Sequence, residues 1–355
     1  MIDNSRTNRL LDAYWQYAET IPDSPPREIR LPGFPETPVE HRTIRDIGPC
    51  LFKMEQNCPT GSHKDRAAIF QVSLARQAGA PGVIIPSSGN AAVAVAAAGA
   101  QADMPVFVFV SPHTHPVKLT AAARYKPRLI ICDSPINRAR NAARRFGMPN
   151  LRPSTDDNAV KGFMTLGYAL GELYTHRKFS SIFIFTTSGA TLVGIARAMK
   201  NMVLKGKIDK IPELHAVQAG KATAIASEFD DSPPSMPVNG RSPGFGGVSS
   251  SKLNPELLTY IRSTGGSGWL TNDSDAENMH DLLKKESIQT SSEGCCALAA
   301  AIRWRRAGGV GTPLVVLTGK RYSDNQSEPD FGDAPVCTAL TYGEIERFIR
   351  KWKHI

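Results

Sequence analysis

The chain has 355 residues, 41% hydrophobic and 21% charged, an ordinary globular composition long enough for two domains with separate cores. This balance argues against large-scale disorder, and no apolar run reaches the length of a membrane helix. The formal charge of +9 raises nucleic-acid binding as a non-enzyme alternative, which small anionic substrates would satisfy equally well.

In chain order, strand-like apolar runs fall at 82–86, 106–110, 129–132, 181–185, 214–218 and 314–317. Helical spacing fills residues near 66–79, 89–101, 136–146, 160–176, 190–203, 274–286 and 293–307. Strands alternating with helices predict an α/β fold with parallel or mostly parallel sheets flanked by helices. The Ala-rich stretch from Ala91 to Ala102 reads as a helix whose small side chains let a sheet approach closely. Arg138, Arg140, Arg144 and Arg145 form the densest basic cluster; no aromatic residues interleave, so it reads as a solvated helix face and no nucleic-acid partner is expected. The Pro-, Gly- and Ser-rich segment 230–251 reads as a long loop. The six cysteines include no Cys-x-x-Cys pair, so neither a zinc site nor a disulfide framework is expected. The N-terminus lacks a signal-peptide pattern, and a cytoplasmic protein without a membrane partner is expected.

Four segments carry chemistry. In Asn57-Cys-Pro-Thr-Gly-Ser-His-Lys-Asp-Arg66, turn formers lead into a helix at whose start Lys64 stands. Free N–H groups and the positive end of the helix dipole there can seat a phosphate, and they lower the proton affinity of a nearby amine. This suits a Schiff-base lysine and an anionic cofactor bearing an aldehyde, although a charged helix start would read the same way. Pro86-Ser-Ser-Gly-Asn90 joins a strand to the Ala-rich helix; it can cap that helix or hold a carboxylate, with Asn90 able to donate to a phenolate oxygen. Thr186-Thr-Ser-Gly-Ala-Thr191 again joins strand to helix, and its small residues let backbone N–H groups surround a phosphate without a Walker pattern. At Leu317-Thr-Gly319, Thr318 can offer a neutral hydroxyl to a ring nitrogen.

Together these segments resemble the fold type II pyridoxal-phosphate enzymes, the tryptophan synthase β-like family, and within it threonine synthase most closely. Residues 57–66 are similar to the family's Asn-Pro-Thr-Gly-Ser-Phe-Lys-Asp-Arg, 87–90 to its Ser-Gly-Asn turn and 187–191 to its phosphate loop. Tyr14-Trp-Gln-Tyr17 resembles the Trp-Arg-Tyr of threonine synthases, and Glu36-Thr-Pro38 their Glu-Gly-x-Thr-Pro. The resemblance implies pyridoxal 5'-phosphate in a cleft between two domains, a large one of residues 1–49 and 156–355 and a small mobile one of residues 50–155. It implies that Lys64 carries the cofactor and moves the substrate α-proton. Ser188, Gly189, Ala190 and Thr191 would hold the phosphate, with His63 contributing where the family usually has Phe. Thr318 would face the pyridine nitrogen, Asn90 and Glu293 would approach the ring, and Ser87, Ser88, Gly89, Asn90 and Ala91 would bind the substrate carboxylate. Glu293 reads equally well as a helix-capping residue.

The implied activity is β/γ-elimination or replacement on an amino acid by a homodimer, a lyase or synthase resembling threonine synthase. The alternatives are β-replacement on serine, O-acetylserine or O-phosphoserine, and serine or threonine dehydration; a cofactor-free binding protein is the reading outside catalysis. One departure bears on the substrate. The cations that help threonine synthases hold a phosphorylated substrate fall here on Ala159 and Met164, with Lys161 where those enzymes have Glu.

Overall fold

The computed structural model describes residues 13–45, 47–220, 222–229, 255–322 and 326–352; the segment read as a long loop, 230–251, lies outside them. In chain order the described residues form α1 (Ala13–Ala18), β1 (Val39–Ile44), β2 (Gly48–Lys53), α2 (Lys64–Gln77), β3 (Val83–Pro86), α3 (Asn90–Gln101), β4 (Val106–Val110), α4 (Pro116–Ala123), β5 (Arg128–Cys132) and α5 (Pro135–Phe146). There follow α6 (Asp157–His176), β6 (Ser181–Phe185), α7 (Ala190–Leu204), β7 (Glu213–Ala219), α8 (Pro255–Ser263), β8 (Gly268–Thr271), α9 (Asp273–Lys285), α10 (Ser292–Arg306), β9 (Pro313–Val316), β10 (Val336–Ala339) and α11 (Tyr342–Trp352). The expected α/β alternation is present, and every predicted strand and helix has its counterpart among the described residues. No helix among the described residues is long and apolar enough to cross a membrane. All six cysteines are free thiols, five of them buried.

Two compact units divide the chain. One gathers the described residues of Met1–Pro35, Lys64–Gly162 and Tyr322–Ile355. Its sheet runs β10-β5-β4-β3 with every pairing parallel. β3 and β4 are buried along their whole length, as continuous apolar strands covered on both faces must be. Phe107, Phe109 and Ile130 pack with Phe146 of α5 and with Ile345 and Ile349 of α11. The start of α2 is held by Tyr14, whose Oη donates to the Arg66 carbonyl at 2.7 Å, while the Trp15 indole donates to the Leu31 carbonyl at 2.7 Å. Gly162 of α6 lies so close that a Cβ there would stand 2.6 Å from the Arg66 carbonyl oxygen. Tyr14 therefore braces the first turn of the helix that Lys64 opens, and Leu31 N donates to the Ser73 hydroxyl further along it at 3.2 Å.

The other unit comprises Glu36–His63 and the described residues of Phe163–Arg321. Its sheet runs β1-β2-β9-β6-β7-β8, parallel throughout except for the β1–β2 hairpin. Phe183, Val217 and Val315 of this sheet pack against Cys295, Cys296 and Leu298 of α10. Under the turn that follows β2 lies a buried polar cluster. Glu55 accepts from the Thr37 hydroxyl at 2.5 Å and from the Cys58 thiol at 3.5 Å, while Lys53 Nζ pairs with Glu36 and donates to the Thr37 carbonyl.

The four-stranded unit takes in 64–162 beside the expected 50–155, together with the described residues of 1–35 and 322–355. Residues 48–63 belong with the six-stranded sheet because β2 pairs with β9, and the C-terminal segment belongs with the four-stranded one because β10 adds to β5. The four-residue strands β8 and β10 and the polar β1 carry weak apolar signals, which is why periodicity passes over them.

His215 on β7 gives this second unit a definite pH response. Its Nδ1 accepts from the Ser267 backbone N–H and the Trp269 indole, both at 3.1 Å, while Nε2 donates to Glu213 at 3.2 Å. The ring stacks on Phe183 with centroids 4.3 Å apart. Burial lowers its pKa, outweighing the opposing effect of Glu213, so the folded protein holds it neutral. The unfolded chain takes up the proton near pH 6.5 and the folded one resists, so stability is present above that value and lost as pH falls through it. We expect a loss of up to about 1.4 kcal/mol per pH unit below 6.5, read by thermal melts, and a shallower slope for His215→Phe.

Candidate active site

The six-stranded unit assembles several of the expected residues at the carboxyl ends of its parallel strands, where such sheets place ligands. After β2 the chain turns through residues 54–63 and is stitched to the segment leaving β9. Gln56 N donates to the Leu317 carbonyl at 3.1 Å, His63 N to the Thr318 carbonyl at 3.1 Å, and Lys320 N to the Gly61 carbonyl at 2.8 Å. Gly61 sits at φ +93°, and any Cβ there would run into the Lys320 side chain, so the turn needs glycine. The Gly319 carbonyl also accepts from Ser291 N at 2.8 Å and from the Thr290 hydroxyl at 3.0 Å, which brings in the start of α10.

His63 is buried at the centre of this arrangement. Nδ1 lies 2.9 Å from the Thr318 carbonyl, which can only accept, so Nδ1 carries a proton; Nε2 lies 3.2 Å from the Thr191 hydroxyl. The ring packs on Phe163 at 5.5 Å between centroids. One imidazole thus connects the β9 strand end to the start of α7.

Helix α7 begins after Gly189, whose φ of +84° puts it in the left-handed region. Gly189 N donates to the Thr186 hydroxyl at 3.0 Å, and Gly189 makes no side-chain cap. The N–H groups of Ala190, Thr191 and Leu192 have no acceptor among the described residues; Val193 N returns to the Gly189 carbonyl at 2.9 Å. Ser188, Ala190 and Thr191 are buried. Three convergent donors at the positive end of a 15-residue helix make a seat for a phosphate group.

Thr318 is 4% exposed. Its carbonyl takes both His63 bonds, and its hydroxyl has no hydrogen-bond partner among the described residues. An unengaged hydroxyl on a buried residue beyond a strand end fits a heterocyclic nitrogen. Glu293 lies half-buried in the first turn of α10 and forms no hydrogen bond or ion pair among the described residues, so it does not cap that helix. Its neighbour Cys295 is no nucleophile at neutral pH, because burial pushes the thiol up to about 12.

The four-stranded unit holds the remaining candidates. Lys64 follows His63 directly and is the first residue of α2, half-buried. Ser87, Ser88 and Gly89 join β3 to α3, and Asn90 and Ala91 are the first two residues of that helix, all half-buried. Gly89 N donates to the Ser87 hydroxyl at 3.3 Å, and Gly89 caps α3 without side-chain help. A contact that sequence reasoning missed is Tyr322, whose hydroxyl donates to Asn90 Oδ1 at 3.1 Å. No local pattern announces it, since 232 residues separate the two.

Within the six-stranded unit the donor set fits pyridoxal phosphate, with backbone N–H groups for the phosphate and a neutral hydroxyl for the ring nitrogen. Comparison with known proteins points the same way. Residues 32–319 match the family described as pyridoxal-phosphate dependent enzyme. A threonine synthase from Methanosarcina acetivorans is 22% identical over 98% of this chain and 89% of its own. An L-threonine ammonia-lyase from Geobacter sulfurreducens is 31% identical over 45% of this chain and 41% of its own. Among solved structures, maize serine racemase superposes with a TM-score of 0.69 at 16% identity, covering 88% of this chain and 94% of that one. The chain is a member of the pyridoxal-phosphate dependent enzyme family, with the fold type II architecture and pyridoxal 5'-phosphate as its cofactor.

Proposed function

We propose that this enzyme carries out β/γ-elimination or replacement on an amino acid, with threonine synthase-like chemistry as the leading reading. The observation that carries it is Thr318, a residue 4% exposed whose neutral hydroxyl is unengaged among the described residues. When bound, pyridoxal phosphate supplies an electron sink for a carbanion at the substrate α-carbon. A neutral partner leaves the ring nitrogen unprotonated, which moderates that sink and favours loss or exchange of a side-chain group over transamination; a carboxylate would do the reverse.

In this reading the other residues divide the work. Lys64 Nζ would hold the cofactor and would take and return the substrate α-proton. Ala190, Thr191 and Leu192 N–H groups hold the phosphate, with Ser188 and Gly189 shaping the turn. His63 fixes the Thr191 hydroxyl and the Thr318 carbonyl in one geometry. Ser87, Ser88, Gly89 and Ala91 bind the substrate carboxylate, Asn90 steadies the phenolate oxygen, and Glu293 approaches the ring. The enzyme acts as a homodimer, as fold type II enzymes often do.

A second reading, β-replacement on a serine derivative or dehydration of serine or threonine, is favoured by a specific observation. Where threonine synthases carry cations, Ala159 and Met164 are buried apolar residues, and the nearby Lys161 amine pairs with Asp23 at 2.8 Å. Profiling turnover of O-phosphohomoserine, serine, threonine, O-acetylserine and O-phosphoserine separates the two. Threonine from O-phosphohomoserine supports the first, whereas oxo acid or substituted alanine from the other four supports the second. Purified protein with no visible cofactor absorbance and no uptake of added pyridoxal phosphate would overturn both.

A further inference from the structure

We propose that Tyr322 is a positioning residue that sets which end of the Asn90 amide faces the cofactor. The inference rests on the reading that Asn90 stands at the phenolate oxygen. An asparagine amide presents a donor and an acceptor of nearly equal shape, so only its partners decide its orientation. A phenolate oxygen needs the –NH2 end; the carbonyl end would set two partial negative charges against each other.

Asn90 is the first residue of α3, one past the Gly89 cap, where a short amide can still turn back to the backbone of its own helix. Here it does not. The α3 N-terminus has no side-chain cap, and Oδ1 instead accepts from the Tyr322 hydroxyl at 3.1 Å. That is the one side-chain hydrogen bond Asn90 makes among the described residues, and Nδ2 has no acceptor there. Tyr322 therefore occupies the acceptor end and directs the donor end the other way. Both residues belong to the four-stranded unit, and both are half-buried, so water competes only partly for the amide.

The test is the absorption spectrum of purified holoenzyme, comparing wild type with Tyr322→Phe, Asn90→Ala and the double variant. A donor on the phenolate oxygen favours the visible band of the phenolate form over the near-ultraviolet band of the neutral phenol form. Loss of one charge-assisted hydrogen bond is expected to shift that ratio roughly tenfold toward the phenol form in Asn90→Ala. Tyr322→Phe should show most of the same shift with unchanged cofactor content, and the double variant no more than Asn90→Ala. Asn90→Asp, which keeps an acceptor for Tyr322 but loses the donor, should match Asn90→Ala and serves if Tyr322→Phe does not fold. A wild-type ratio in Tyr322→Phe beside a shifted Asn90→Ala would overturn the positioning role alone. An unshifted Asn90→Ala or Asn90→Asp would overturn it together with the placement of Asn90. Absence of any cofactor band in wild type would instead reject the functional reading beneath it.

Discussion

Replacing Lys64 with Ala is expected to remove the visible absorbance of covalently held cofactor and to lower turnover by at least on the order of 10³-fold. The size of the effect follows from Lys64 having two roles, attachment and proton transfer, that no neighbouring group can share at once. Its position is over-determined. The preceding residue, His63, is tied through backbone and ring to Thr318 and through the ring to Thr191. The turn before it is paired with residues 317–320, and the helix it opens is braced by Tyr14 and by the close approach of Gly162. Lysine at this point has little freedom except in its own side chain, which is what an attachment residue requires. The phosphate seat lies on other residues, so Lys64→Ala should still bind cofactor non-covalently, and equilibrium dialysis should detect it. A wild-type visible band in this variant would mean that another lysine carries the group; Lys320, whose backbone pairs with Gly61, is the first to check.

Gly189→Ala is expected to weaken cofactor binding by roughly tenfold to a hundredfold while leaving the protein folded. Two costs combine. A left-handed φ of +84° disfavours any residue with a Cβ, by about 1–2 kcal/mol. The new methyl would also run into the Leu257 side chain of α8, and overpacking of this kind costs roughly 1–3 kcal/mol. The chain relieves both by rotating the 187–190 peptide units, which turns the Ala190 and Thr191 N–H groups away from a common focus. Titration of apoenzyme with pyridoxal phosphate, followed by visible absorbance, measures the change. Wild-type affinity in this variant would show that the α7 start is not the phosphate seat.

Much of the fold was legible because parallel α/β sheets bury whole strands. β3, β4 and β6 appear in the sequence as unbroken apolar runs. Edge elements were not. β1 alternates with polar residues and gains its place through the hairpin with β2, while β10 is four residues with two exposed and gains its place through pairing with the distant β5. The helix α11 was visible in principle, since Ile345, Phe348, Ile349 and Trp352 recur at helical spacing, yet its assignment to the four-stranded unit depends on packing that no local pattern encodes. At the site, motifs with turn chemistry announced Lys64, Asn90, Gly189 and Thr318. What they could not announce was partnership. His63 read equally well as a solvent-facing side chain, and only the joining of residues 63, 191 and 318 buries it. The buried cluster of Lys53, Glu36, Glu55, Thr37 and Cys58 went unread for the same reason, since separate charged residues in a sequence look solvated until the fold collects them.

The central claim, that this chain holds pyridoxal phosphate on Lys64, is tested most directly by chemical trapping. Holoenzyme is reduced with borohydride, digested, and mapped by mass spectrometry. The account predicts one stable pyridoxyl adduct, on the peptide containing Lys64. An adduct on a different lysine, or none from protein saturated with the cofactor, would contradict it.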